Sequence, residues 1–145
     1  MASEAVRDRI LAAGERITPQ RDMIASVLER APRPLSASGL YEAVALLDPG
    51  IGRATVFRTV SALERAGIVE QLSLHGERSV YLLCATAGHH HHLVCQRCGK
   101  VSDLPEETVG PFFATIESDH GFRVDHASFS VYGICASCST GSEAC

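Results

Sequence analysis

The chain has 145 residues, of which 46% are hydrophobic and 21% charged, which suits one ordinary domain or two small ones and excludes wholesale disorder. No apolar run approaches the roughly 18 to 20 residues needed to span a membrane. The first ten residues carry Glu4, Arg7, Asp8 and Arg9 where a secretory signal would be apolar, so a cytoplasmic protein is expected.

The net charge of −4 excludes a bulk polycation that coats nucleic acid, but the charge is unevenly spread. Residues 1–84 carry ten Arg and ten acidic side chains and are neutral, so the remaining residues hold the whole deficit. Twelve of the thirteen basic residues are Arg, the side chain suited to bidentate contact with phosphate and guanine. A neutral half still binds DNA if its Arg gather on one face.

In chain order, Ile10 and Leu11 belong to a short amphipathic segment that stops near Gly14. Thr18-Pro19 reads as an N-cap followed by Pro at the first helical position. Met23, Ile24, Val27 and Leu28 then recur at helical spacing until Pro32 and Pro34 close the segment. Ser36 or Ser38 caps a further helix through Leu40, Val44 and Leu47, which ends at Asp48-Pro49-Gly50. After Gly52 a third helix carries Val56, Val60 and Leu63 on one face and stops at Gly67. Two extended runs, Ile68 to Leu74 and Ser79 to Leu83, form a hairpin. Three helices and a hairpin suggest a winged helix-turn-helix whose third helix enters the major groove, with Arg53, Thr55, Phe57 and Arg58 near its N-terminal end. A helical bundle capped by a hairpin, its Arg merely solvated, fits the same pattern.

The second half begins after Cys84-Ala85-Thr86-Ala87-Gly88, whose small residues 85–88 read as a hinge. His91 to Cys95 and Lys100 to Leu104 read as short strands. Pro105-Glu106-Glu107 opens a helix whose expected core face is Val109, Phe112, Phe113 and Ile116. Val124 to Tyr132 reads as a long strand, and the small, polar residues 139–145 as a flexible tail. The expected organisation is a first domain over 1–84 and a second over 89–138.

The strongest chemical signal is Cys95-x-x-Cys98 and Cys135-x-x-Cys138, 36 residues apart. Two such knuckles converge four thiolates at the distances zinc prefers, and Gly99 permits the tight turn after the first. A redox centre is the competing reading, but it needs only one motif. Cys84-x5-His90-x-His92 is the second signal. On a strand His90 and His92 face one side while His89 and His91 face the other, enough for two separate metal sites. A mixed Cys, His and carboxylate set favours zinc over iron or manganese; the alternatives are a His-rich polar linker and a small core Cys84.

Four segments resemble the ferric uptake regulator family of metal-sensing repressors: Gly14-Glu-Arg-Ile-Thr-Pro-Gln-Arg21, Ala54-Thr-Val-Phe-Arg-Thr-Val60, His89-His-His-His-Leu-Val-Cys-Gln-Arg-Cys-Gly99 and Tyr132-Gly-Ile-Cys-Ala-Ser-Cys138. The resemblance spans nearly the whole chain in the family's order. It implies an α+β protein with an N-terminal winged helix-turn-helix domain and a C-terminal α/β dimerisation domain. It also implies repression of metal-uptake genes when metal is bound, and no enzymatic activity. The strand Ser79 to Cys84 is most similar to the zinc uptake regulator branch: iron sensors place a carboxylate directly after the strand's aromatic residue, where Leu82 stands here, and zinc sensors place a Cys at the position of Cys84.

By this resemblance a regulatory zinc site comprises Glu70, Cys84, His90 and His92. Branch members often have Asp where Glu70 stands, and His75 or Asp103 is a possible substitute. A further family site would use His89 and His91 with a helix Glu and a strand His. Those last two positions align with Gly110 and Ala127, so Glu107 (or Glu106) and His126 stand in nearby, with His120 another donor. Arg58 is implied to read bases and Arg16 to enter an adjacent minor groove, where narrow A·T-rich tracts attract Arg. Phe57 replaces the family's usual Tyr and keeps contact with a thymine methyl but donates no hydrogen bond. The implied partners are a second copy of the chain and a palindromic, A·T-rich duplex operator. One zinc held by all four regulatory ligands would fix the angle between domains, and so the spacing of two recognition helices. A sister sensor of iron, manganese, nickel or peroxide shares this architecture. A zinc hydrolase would need an open coordination position that four protein ligands do not leave.

Overall fold

A computed structural model describes residues 1–74, 77–84, 91–124 and 129–141. The chain divides into two compact units, Met1–Ala87 and Gly88–Cys145.

The first unit opens with α1 (Glu4–Ala12), where the Ser3 side chain accepts from the Val6 N–H and Val6 and Ile10 are buried. The helix unwinds at Gly14, whose φ of +76° is a conformation that a Cβ would strain. The short amphipathic segment expected here is thus a full helix, and the unit has four where the pattern gave three. Helix α2 (Pro19–Arg30) has the expected cap, with Thr18 Oγ1 accepting from the Arg21 N–H at 3.2 Å and Pro19 at the first position. A two-residue strand β1 (Leu35–Ser36) leads into α3 (Ala37–Leu47), which Ser36 caps by accepting from the Gly39 N–H at 3.1 Å.

Helix α4 (Arg53–Arg65) buries Val56, Thr59, Val60, Ala62 and Leu63 and ends at the left-handed Gly67. Strands β2 (Val69–Leu74) and β3 (Glu77–Leu83) pair antiparallel, and β1 adds to β3 in the order β1-β3-β2. The sequence reading lacked β1, because two residues carry no alternation; pairing of Leu35 with Tyr81 and Ser36 with Val80 defines it. The core joins all four helices to the hairpin: Ile10, Ile24, Leu40, Val44, Val56, Leu63 and Ile68 are essentially fully buried.

The second unit contains β4 (His91–Cys95), β5 (Val101–Leu104), α5 (Glu106–His120), β6 (Phe129–Gly133) and α6 (Ala136–Ser139). Its sheet runs β5-β4-β6, with β5 antiparallel and β6 parallel to the central β4. Three expectations change here. Val124 lies outside any strand, and residues 125–128 fall outside the described residues, so the expected long strand is observed over Phe129–Gly133. Of the expected helix core only Val109 is buried; Phe113 and Ile116 are half-buried and Phe112 is 51% exposed, since α5 meets β4 through Glu106 and Phe113 on His91. Ser139, placed in the tail, is the last residue of α6, held by its N–H to the Cys135 carbonyl at 2.9 Å.

Burial makes the core of the first unit sensitive to volume. Ile24→Ala, at a fully buried position of α2, is expected to destabilise the protein by about 2 to 5 kcal/mol, read as a lower midpoint in urea denaturation.

Candidate metal centre and nucleic-acid interface

Four cysteines converge in the second unit because two strands deliver them side by side. β4 ends at Cys95, and the chain reverses through Gly99, whose φ of +73° suits a residue without a Cβ. The Gly99 N–H donates to the Cys95 carbonyl and the Cys95 N–H to the Lys100 carbonyl, both at 2.9 Å, which closes the first knuckle. Parallel pairing sets Cys95 opposite Gly133, and the Gln96 N–H donates to the Gly133 carbonyl at 2.8 Å, so the second knuckle arrives beside the first. The Cys135 N–H donates to Cys95 Sγ at 3.2 Å, and Arg97 Nη1 donates to the Cys138 carbonyl at 2.7 Å.

All four sulfurs lie within 4.8 Å of one another, and Cys98 Sγ stands 3.8 Å from Cys135 Sγ. A tetrahedral zinc with sulfurs at about 2.3 Å has S–S edges of about 3.8 Å. The cluster therefore fits zinc with no ligand missing. None of the four cysteines is in a disulfide. Backbone N–H groups of Cys135 first and Cys98 second hold the Cys95 thiol down to about 6, against the opposing effect of burial. Cys95 is thus readily the thiolate, the form that a metal takes.

The two described histidines of the run occupy opposite faces of β4. His91 is buried with its Nε2 2.8 Å from Glu106 Oε2 and its ring edge-on to Phe113, at 5.6 Å between centroids. The carboxylate that meets His91 is that of Glu106, the neighbour of the Glu107 named from the sequence, and both glutamates are exposed. His92 is equally buried and stands opposite Asp103 and Ser130 in register. His89, His90 and His126 lie outside the described residues, as does His75.

In the first unit Glu70 pairs with Leu82, and Cys84 follows Leu82 by two residues. The two-residue period therefore sets Glu70 and Cys84 on one face of the hairpin as diagonal neighbours. Cys84 is buried and its N–H donates to the Ile68 carbonyl at 2.9 Å.

On α4 the residues between the buried positions form an outer face. Arg53 lies over the Tyr41 ring with its guanidinium carbon 4.2 Å from the centroid, a cation–π contact, and stays exposed. Arg58 is exposed, its Nη2 3.5 Å from Thr55 Oγ1, and Phe57 is 37% exposed. No side chain caps the helix at Gly52, so the first-turn N–H groups and Arg53 present positive charge together. Arg16 is exposed on the loop between α1 and α2. Arg21, which the sequence reading did not single out, braces that loop: its Nη1 donates to the Arg16 carbonyl and pairs with Glu15 Oε2 at 3.0 Å. Nothing in the residue spacing signals this contact, since it depends on how the loop folds back over α2.

A fold of this kind, with paired cysteine knuckles in one unit and an arginine-bearing helix in the other, has known relatives. Residues 12–132 match the Ferric uptake regulator family (FUR). The ferric uptake regulation protein of Escherichia coli K12 is 36% identical over 126 residues, covering 86% of this chain and 84% of its own. Among solved structures, the Vibrio cholerae ferric uptake regulator is 32% identical, with a TM-score of 0.64 over 89% of this chain and 98% of its own. A zinc uptake regulator complexed with zinc and DNA is 27% identical, with a TM-score of 0.72 over 95% of this chain and 92% of its own. The chain belongs to the ferric uptake regulator family. It is a metal-responsive transcription regulator and not an enzyme, with an N-terminal DNA-binding domain, a C-terminal dimerisation domain and a dimeric, DNA-binding mode of action. Among the described residues no helix is long and apolar enough to cross a membrane.

Two outcomes are expected. Cys138→Ser removes one of four converging thiols and should abolish tight metal retention and unfold the second unit, since such binding is worth on the order of 10 kcal/mol in zinc-finger peptides. Metal analysis of the purified protein with near-ultraviolet circular dichroism reads both effects, and a native spectrum with one zinc per chain would contradict the assignment. Arg58→Ala should weaken operator binding by about 1 to 3 kcal/mol and relax base preference at one position per half-site. Competition binding with operators substituted base by base measures that pattern; equal loss on every sequence would reduce Arg58 to a phosphate contact.

Proposed function

We propose that this protein is a zinc-responsive repressor of metal-uptake genes, acting in the cytoplasm as a metal-loaded homodimer on palindromic, A·T-rich operators. Residues 1–84 carry the DNA-binding role and residues 89–138 the dimerising and metal-binding one. Cys95, Cys98, Cys135 and Cys138 hold a structural zinc. Glu70, Cys84, His90 and His92 form the regulatory set. Arg16, Arg53, Thr55, Phe57 and Arg58 meet DNA.

The observation that carries the zinc reading is Cys84. It is a buried thiol two residues after Leu82, which lies directly opposite Glu70 in the pairing and cannot coordinate. A ligand set of thiolate, carboxylate and imidazoles is softer than iron or manganese prefers. Bound zinc would supply a tetrahedral crosslink among those side chains and no redox chemistry. The side chains themselves do the sensing: the thiol must lose its proton and both imidazoles must be neutral before they ligate, so affinity weakens as the pH is lowered. The sister reading, a sensor of iron, manganese, nickel or peroxide, is favoured by the ferric uptake names of the Escherichia coli relative and of the Vibrio cholerae structure.

The second unit also offers a surface for a second copy. Leu93, Val131 and Ile134 are 42%, 41% and 55% exposed, and β6, which carries Val131, is an edge strand of its sheet. Leu93 and Val131 are register partners on neighbouring strands, and exposed apolar side chains grouped in this way favour association over solvation.

Cys84→Ser tests the function directly. It nearly preserves side-chain size, shares no ligand with the four-cysteine cluster, and should leave the protein folded, dimeric and carrying one zinc per chain. It should lose the second zinc and zinc-dependent operator binding, because nothing then biases the dimer toward its DNA-binding state. Fluorescence anisotropy on operator DNA across a zinc titration measures this. Unchanged zinc dependence would return Cys84 to the core and open the choice of metal again.

A further inference from the structure

Helix α1 reaches distant parts of its unit through one side chain. Arg9 Nη1 donates to the Cys84 carbonyl at 2.5 Å, and Nη2 donates to the Gly67 carbonyl at 3.3 Å. Gly67 is the left-handed residue that ends α4, and Cys84 closes the hairpin through its N–H to the Ile68 carbonyl. One planar fork therefore spans both strands at the open root of the β2–β3 hairpin. It holds Cys84 at its carbonyl while Ile68 holds it at its N–H. Charge-assisted donation of this kind is stronger than a neutral hydrogen bond, and the two donors of the fork fix a direction as well as a distance. The arginine is itself half-buried on a helix that Val6 and Ile10 root in the core, so the fork has a rigid base.

We propose that Arg9 is a positioning residue for the regulatory metal. By holding the carbonyls of Gly67 and Cys84 it sets the direction of the Cys84 Cα–Cβ bond, and so presents the thiol on the Glu70 face before metal arrives. The inference rests on the reading of Cys84 as a metal ligand. Because the same guanidinium grips the residue that ends α4, the ligand and the recognition helix belong to one braced piece, and a shift at Cys84 is passed to the end of α4. Partners that hydrogen-bond a ligating group typically change metal affinity 10- to 100-fold when removed, and Arg9 is expected to act on that scale through the ligand's backbone.

Cobalt(II) is the probe, titrated into full-length dimer whose four-cysteine cluster already holds zinc. A thiolate-to-cobalt charge-transfer band should grow in the wild type and be absent in Cys84→Ser. Arg9→Ala should need about 10- to 100-fold more cobalt to reach the same band, with the cluster zinc retained. Arg9→Lys, which keeps the charge and one donor, should fall between. If Arg9→Ala does not fold, Arg9→Gln is read in its place with the same expected direction. A wild-type titration by Arg9→Ala, or loss of the cluster zinc in parallel with the band, overturns the positioning role and leaves Cys84 a ligand. A band that survives Cys84→Ser overturns the ligand reading itself, and the positioning role with it.

Discussion

The parallel pairing of β4 with β6 is the constraint on which the second unit rests. Adjacent parallel strands cannot be joined by a tight turn; they need a crossover, and α5 lies within the intervening chain. Once Cys95 stands opposite Gly133, the two cysteine knuckles leave neighbouring strands at the same end of the sheet. Four sulfurs then meet without any further long-range device. The small size of the unit makes this convergence matter, since a three-stranded sheet with one partly covered helix buries little apolar surface by itself. Metal binding at such a cluster would add the stability that so small a core lacks.

The first unit has a different economy. Its helices are closed by local chemistry, with Ser3, Thr18 and Ser36 as caps and Gly14 and Gly67 as stops, and its stability comes from an apolar core shared by four helices and a hairpin. That arrangement leaves the outer face of α4 exposed, because Val56, Val60 and Leu63 hold the helix from behind. Arginines then act in two distinct ways. Arg58 and Arg16 point outward, whereas Arg21 and Arg9 turn inward onto backbone carbonyls and hold the loop and the hairpin root in place.

The histidine run illustrates how strand geometry sorts identical side chains. His91 and His92 are adjacent and equally buried, yet the two-residue period sends one toward α5 and the other to the opposite face. His91 there meets Glu106 and Phe113, and His92 stands in register with Asp103. Neighbouring residues of one type thus enter separate environments.

Much of this protein was written in local sequence. The caps, the glycine stops, the amphipathic face of α4 and the hairpin follow from side-chain chemistry within a few residues, and the cysteine spacing alone named the thiol cluster, because those signals need no knowledge of distant partners. The sequence could not decide what depends on chain segments meeting across the fold. Strand β1 exists because β3 lies beside it, and Phe113 rather than Phe112 reaches His91 because of where α5 meets β4. Glu106 and not Glu107 faces His91 because a helix turns about 100° per residue, so its phase against the sheet, which packing sets, chooses between neighbours. The grip of Arg9 on Cys84 joins residues 75 positions apart. Local pattern determines which elements form and which side chains carry chemistry, and tertiary packing alone determines which of those side chains meet.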